Sequence, residues 1–206
     1  MILFKKGDEL KNYLIKKTHE GISIGFVPTM GALHEGHLSL VRAAKTKSDL
    51  VVSSIFVNPT QFNDQQDYLH YPKTIDQDIL LLEKSACDVL FLPDVQEIYP
   101  TGYQPIHYDL GSLETLLEGK YRPGHFQGVC QVVDRLLEIV MPSILFLGQK
   151  DYQQCMVIER LIHLKQYATQ LYVVPTMRET SGLAMSSRNL RLNEQDRAKA
   201  ASIYAG

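Results

Sequence analysis

His34 and His37 are separated by Glu35 and Gly36 in the segment PTMGALHEGH, Pro28 to His37. A spacing of three sets both imidazoles on one face of a helix's first turn, and the glycine leaves a planar ring room to approach the backbone. Unpaired N–H groups and the dipole at such a helix end attract phosphate, and an imidazole can donate to it as negative charge builds during transfer. A nucleoside triphosphate suits this chemistry. The same pair also reads as a helix cap beside a solvated surface histidine. Zinc is disfavoured, because the HExxH spacing is absent and no third ligand stands at a suitable spacing.

Lys150 follows an apolar run and Gly148, so its ammonium either neutralises a phosphate at a strand's end or begins a helix in solvent. Ser186, Ser187 and Arg188 bring two hydroxyl donors and a fixed cation into one polar loop, suited to closing over a triphosphate and stabilising departing pyrophosphate. Gln61 and Gln154 carry uncharged amides that suit a small hydroxy acid whose carboxylate must stay nucleophilic; a lysine would hold it too tightly as an ion pair. Arg122 and His125, in RPGHF, either serve the same cleft or cap the next helix, and Asp151 is open between ribose contact and N-cap. Cys87, Cys130 and Cys155 are odd in number and form no CxxC pair, which argues against a disulfide framework or structural zinc and for a reducing cytosol.

The elements that must position these groups are legible as short apolar runs alternating with segments of helical period, the pattern of an α/β parallel sheet with crossover helices. Strands are expected at 22–27, ended by Pro28, and at 50–57, 88–92, 143–147 and 171–174. Helices are expected from near 35–37, over 75–85 with Thr74 as N-cap and Asp76 and Asp78 at its positive end, over 126–140, ended by Pro142, and over 151–167. Ligands of open parallel sheets gather at the carboxyl ends of strands. The polar segments 28–37, 58–62, 148–154 and 177–189 all follow strands and should converge on one cleft. Past residue 178 the texture turns polar, and Asn193 could cap a helix ending near Tyr204. Thirty residues cannot bury a core of their own, so this tail either packs on the first domain or begins something longer.

With 206 residues, 45% of them hydrophobic, the chain can bury one sizeable core plus a small appendage, which excludes a disordered or fibrous protein. Its 21 Lys and Arg against 23 Asp and Glu leave no positive excess for nucleic acid or an anionic membrane, so small-molecule partners are favoured. The apolar run 1–4 ends at Lys5 and is too short for a signal-peptide core. The stretch 136–147, broken by Glu138 and Pro142, falls far short of the roughly 20 residues that span a bilayer. A cytoplasmic protein is expected.

PTMGALHEGHLSLV, IFVNPTQF, YPKTIDQD, EGKYRPGHFQGV, FLGQKDYQQ and GLAMSSRN, in this order and over nearly the whole chain, resemble the pantoate–beta-alanine ligase (pantothenate synthetase) family of the HIGH-motif nucleotidylyltransferase superfamily. HEGH corresponds to the HIGH signature and MSSRN to a KMSKS-type loop. The resemblance implies a Rossmann-like doubly wound sheet over 1–176 that binds nucleotide and pantoate, with 177–206 beginning a smaller C-terminal lid domain. That domain is longer in the family, so a truncated chain is expected. The implied reaction has two steps in one cleft: pantoate's carboxylate attacks the α-phosphate of ATP, and beta-alanine then cleaves the pantoyl adenylate to give pantothenate and AMP. ATP contacts carry over to Met30, Gly31, Ala32, Leu33, His34, Glu35, Gly36 and His37, to Gly148, Gln149, Lys150 and Asp151, and to Met177, Met185, Ser186, Ser187 and Arg188. His37 carries over as the proton donor, while His34, Lys150, Ser186, Ser187 and Arg188 stabilise phosphate charge. Gln61 and Gln154 carry over to pantoate, Gln61 also near beta-alanine. Mg2+ would accompany ATP, held mainly by phosphate oxygens and water, with no protein ligand assigned. A homodimer is implied.

The chain departs from the family pattern at Ser181, where an aspartate is usual before GLA, and at Arg191, where a tyrosine is common. Asn63 and Lys73 replace a frequent glycine and an arginine. Two other readings stand beside the ligase: a nucleotidylyltransferase with a different acceptor, and a nucleotide-binding module without turnover.

Overall fold

A computed structural model describes residues 1–205. The chain opens with a strand, β1 (Ile2–Phe4), and a helix, α1 (Gly7–His19), neither of which the sequence reading assigned. β1 is three residues long with only Phe4 partly covered, and α1 sends only Leu10 and Leu14 as large side chains into the core, too little for periodicity to register. There follow β2 (Ile24–Thr29), α2 (Glu35–Lys45), β3 (Leu50–Ile55), α3 (Gln65–Leu69), α4 (Ile75–Lys84), β4 (Val89–Phe91) and α5 (Val95–Ile98). The second half comprises α6 (Glu118–Tyr121), α7 (His125–Val140), β5 (Ile144–Gly148), α8 (Tyr152–Lys165), β6 (Gln170–Val174) and α9 (Glu194–Ala205).

The strands form one parallel sheet in the order β1-β4-β3-β2-β5-β6. The sheet thus extends from β2 in two directions, with β3 on one side and β5 on the other, and a crevice opens at that switch point beyond the strands' carboxyl ends. Successive residues of each strand serve opposite faces. Phe26, Val52, Phe91 and Leu145 join the core beneath α1, α7 and α8, while Val27, Val51, Leu90 and Phe146 join the one beneath α2 and α4. Burial on both faces is why these strands read as unbroken apolar runs.

Pro28 does not end its strand as expected. β2 runs on to Thr29, with Pro28 opposite Ser54, because a proline near a strand's end removes a single ladder N–H, and the Thr29 hydroxyl donates to the Ser54 carbonyl at 2.8 Å. Thr74 occupies the N-cap position of α4, yet its hydroxyl donates to Asp78 rather than accepting a backbone N–H. Asn193 does cap α9, accepting from the Asp196 N–H at 2.8 Å. The segment leading to α9 is tied to it by Glu179, which accepts from Arg197 at 2.7 Å, and by Arg178, whose guanidinium lies 4.0 Å from the Tyr204 ring centroid. No helix among the described residues is long and apolar enough to cross a membrane.

Candidate active site

A cavity of about 210 Å³ occupies the crevice. The loop after β2 contributes Met30, His34, Gly36 and His37; the loop after β3, Asn58 and Gln61; the loop after β5, Gly148, Lys150, Asp151 and Gln154; the segment after β6, Thr176, Met177 and Met185. Four segments far apart in sequence therefore share one hollow.

The two histidines are self-organised. His34 is the N-cap of α2: its Nδ1 accepts from the Gly36 N–H at 3.1 Å, and its own N–H donates to His37 Nδ1 at 3.3 Å. Because both Nδ1 atoms accept, the protons reside on Nε2, and each ring has a donor left for a ligand. The ring centroids lie 4.1 Å apart. Gly36 is required by this packing, since a Cβ there would sit 2.8 Å from the His34 ring. The capping also corrects an expectation. The amides at this helix end are not all open to phosphate: the Gly36 N–H of the first turn is taken by the His34 ring, and those of Ala32 and Leu33, in the loop just before the cap, are taken by the Asp78 carboxylate at 3.0 and 2.8 Å. Burial, then His34, then Lys150 hold the His37 pKa at about 3, and burial and Lys150 lower that of His34 against the opposing pull of Asp151. His37 is therefore neutral near pH 7, with its Nε2–H able to donate a hydrogen bond.

Gln61 is gripped from both sides. Its Nε2 donates to Met30 Sδ at 3.1 Å and its Oε1 accepts from Asn58 Nδ2 at 3.2 Å. Its backbone carbonyl accepts from His125 Nδ1 at 2.8 Å, while His125 Nε2 lies 3.1 Å from an Arg122 nitrogen. Arg122 and His125 thus do not line the cavity; they fix the peptide that carries Gln61. Asn58, 1% exposed, also donates to the Gly128 carbonyl and accepts from the Tyr99 hydroxyl at 2.8 Å. A Cβ on Gly128 would fall 2.3 Å from the Thr60 carbonyl oxygen, so the glycine lets the Pro59–Gln61 turn rest against α7.

Other expected residues are distributed differently. Ala32, Leu33, Glu35, Ser186 and Ser187 line an adjoining cavity of about 620 Å³, which shares His34 and Met185 with the first. Gly31 backs onto a third hollow with Met30, Lys73 and Asp78, and Gln149 lines none of the three. Arg188 does not reach the first two cavities: it pairs with Asp67 on α3 at 2.9 Å, and Arg191 takes the other oxygen of the same carboxylate at 2.9 Å. Both guanidiniums hold Asp67 below the ordinary carboxylate range against its partial burial. Among the other departures, Asn63 donates to the Pro123 carbonyl at 2.7 Å and the Ser181 hydroxyl accepts from the Leu183 N–H at 3.4 Å. Lys150 lies 3.5 Å from Asp151, the one carboxylate lining the first cavity among the described residues. No group of three or more His, Cys, Asp or Glu able to hold a metal ion occurs among the described residues.

Sequence reasoning missed the cavity's apolar wall, built by Val129, Val132, Val133 and Leu136 of α7 with Tyr71 and Phe56. The signal was available: α7 is apolar around most of its circumference, more than one sheet contact requires. Asn58 entered the sequence reading only as the first residue of the polar segment 58–62 and was given no role of its own, although a polar side chain at a strand's carboxyl end has site potential. The three cysteines are buried, and burial raises their thiols to about 11 for Cys87, 12 for Cys130 and 11 for Cys155, which suits packing rather than nucleophilic use.

The family model for pantoate-beta-alanine ligase matches residues 2–206. The chain is 47% identical over 203 residues to the pantothenate synthetase of Aquifex aeolicus, covering 98% of this chain and 72% of the relative. It is 52% identical over 185 residues to that of Thermodesulfovibrio yellowstonii, covering 90% and 66%. The crystal structure of pantoate-beta-alanine ligase from Francisella tularensis, complexed with beta-gamma ATP and beta-alanine, matches with a TM-score of 0.94 at 45% identity, over 100% of this chain and 78% of that one. Pantothenate synthetase from Thermus thermophilus matches with a TM-score of 0.93 at 43% identity, over 100% and 72%. By sequence and by fold, this chain belongs to the pantoate-beta-alanine ligase family.

Proposed function

We propose that both half-reactions of the family's chemistry run in the cavity between the ends of β2 and β5, with its polar residues dividing the work. The protein is an ATP-dependent ligase that condenses pantoate with beta-alanine to pantothenate. A pantoate carboxylate oxygen bonds to the α-phosphorus as its bond to pyrophosphate breaks. The beta-alanine amine then attacks the acyl carbon, the bond to AMP breaks, and the amine's proton leaves. A carboxylate is a poor acyl donor, and exchanging its oxygen for adenylate supplies the leaving group without a covalent enzyme intermediate. The side chains need only align the reactants and stabilise charge, each effect being worth several kcal/mol of barrier.

The observation that carries this reading is the shared cavity: the His34 and His37 rings, Lys150, Gln61 and Gln154 all line it. The Nε2–H groups donate to the phosphate oxygens as charge accumulates, and Lys150 neutralises them. Gln61 and Gln154 hold pantoate's polar groups while the α7 valines cover its methyl groups. Ser186 and Ser187 reach the departing pyrophosphate from the adjoining cavity, and Arg188 joins them on release from Asp67. Mg2+ would accompany ATP, held chiefly by phosphate oxygens and water, and Asp151 is the carboxylate of the cavity that would face it. Residues 1–176 form the nucleotide- and pantoate-binding domain and 177–206 the beginning of the lid; the protein acts in the cytoplasm as a homodimer, which light scattering would check.

Pantoate-dependent pyrophosphate release, measured with ATP, Mg2+ and beta-alanine, tests the assignment. His37→Ala should lower it by at least about 100-fold with thermal stability retained, as expected for loss of a transition-state donor. Gln61→Ala should act mainly on pantoate KM. Full activity in His37→Ala would overturn the role given to the pair.

A further inference from the structure

The buried Asp78 takes no part in the chemistry above, yet it touches the loop on which that chemistry depends. It sits in the first turn of α4 and is 1% exposed. One oxygen accepts from the Leu33 N–H at 2.8 Å; the other accepts from the Ala32 N–H at 3.0 Å and the Thr74 hydroxyl at 3.2 Å. Gly31 and Ala32 have φ of +82° and +50°, so two consecutive left-handed residues turn the following amides toward a single anion. An alanine adopts that conformation only where its surroundings hold it. Gly31 leaves the approach open: a Cβ there would lie 3.1 Å from an Asp78 oxygen. The turn presents two adjacent amides to one anion, and that place is filled by the protein's own carboxylate.

We propose that Asp78 is a positioning residue for the histidine pair, an internal anion whose grip on the Ala32 and Leu33 amides sets the angle at which His34 and His37 face the reacting phosphate. The connection is short. The residue after Leu33 is His34, whose N–H donates to His37 Nδ1 and whose ring accepts from Gly36. A shift of the 32–33 peptides therefore moves both rings and loosens the bonds that place their protons on Nε2. A carboxylate is needed, because an asparagine offers one acceptor oxygen to two converging amides and points an NH2 at the second. The inference rests on the proposed role of the histidines.

The test compares Asp78→Asn with His37→Ala in the full chain, reading kcat and ATP KM for pantoate-dependent pyrophosphate release, the thermal midpoint, and imidazole 15N spectra that report tautomers. The expected result for Asp78→Asn is a kcat lowered by about 10- to 100-fold, the range for losing a hydrogen bond to a buried charge, with ATP KM within about threefold. The spectra should show His34 and His37 averaging between tautomers instead of resting in the Nε2–H form. Wild-type kcat, or a lower kcat with both tautomers unchanged, overturns the proposal. If Asp78→Asn does not fold, Thr74→Val removes the hydroxyl that steadies the Asp78 oxygen bonded to the Ala32 N–H, so that the carboxylate can turn off that amide; a kcat loss of about 3- to 10-fold with partial tautomer averaging supports the proposal, and unchanged values overturn it. The two levels separate cleanly: activity retained in His37→Ala removes the histidine reading on which this one rests, whereas activity lost there and kept in Asp78→Asn removes the positioning role alone.

Discussion

Replacing Gly128 with alanine should disable pantoate recognition while leaving the fold and ATP binding in place. The added methyl would lie 2.3 Å from the Thr60 carbonyl oxygen, 2.6 Å from its carbon and 2.9 Å from the Gln61 Cα. Real Cβ atoms essentially never come within 3.0 Å of such neighbours, and the obstacle is backbone, so the Pro59–Gln61 turn must retreat by about 0.7 Å or more. Retreat breaks the Asn58 bond to the Gly128 carbonyl and draws the Gln61 amide away from Met30 and the cavity. Overpacking of this kind costs about 1–3 kcal/mol, and removing a helical glycine returns up to about 1, so the net loss of about 0–3 kcal/mol leaves the domain folded. A misplacement approaching 1 Å at a substrate-positioning group costs on the order of 100-fold in rate. Steady-state kinetics should show kcat/KM for pantoate down by about that factor, with ATP affinity from calorimetry little changed. Native pantoate kinetics together with a native melting curve in Gly128→Ala would refute the claim that this contact sets the Gln61 position.

The depressed histidine pKa values make stability depend on pH. His37 ionises near 6.5 when unfolded and at about 3 in the fold, so below pH 6.5 the unfolded chain binds a proton the native one does not, and stability falls by up to about 1.4 kcal/mol per pH unit from this residue. Urea melts from about pH 7 to pH 5 should show that decline, flattened in His37→Gln; equal slopes contradict it. Asp67→Ala should release Arg188 and Arg191 and speed tryptic cleavage at both, while exposed ion pairs of this kind, worth about 0–1 kcal/mol, barely move the melting temperature. The three buried thiols should react with a disulfide reagent only on unfolding, and Cys155→Ala should keep its turnover; rapid modification of the native protein would show that burial does not protect them.

The parts of the architecture that were legible are those in which local pattern and burial coincide. β3 and β5 are covered on both faces and so are spelled in Val, Ile, Leu and Phe, and the polar segments that follow strands became the cavity's loops. β1 and α1 were missed because an edge strand of three residues and a helix with two deeply buried leucines leave little periodic signal. Within the site, the His34 and His37 spacing spoke directly of a shared face. Their mutual capping did not, since it depends on ring rotation over Gly36. The supports were hidden for another reason: Asn58 meets Gly128 across 70 positions and Asp78 meets Leu33 across 45, contacts that only the packed chain creates. Arg188 shows the limit of composition, for the cation was found but its partner, Asp67, lies 121 residues away.

Of all the neighbours in the sheet, β2 and β5 are the most widely separated along the chain: the Ser143 hydroxyl accepts from the Ile24 N–H across 119 positions, against 87 between Ile2 and its β4 partner Val89. Closing so large a loop is entropically the most demanding step in building the sheet, and the cavity proposed as the reaction site lies along that seam. With the proposed site astride that seam, its cavity cannot be assembled on a nascent chain until the segments through Met185 have emerged and β5 has paired with β2.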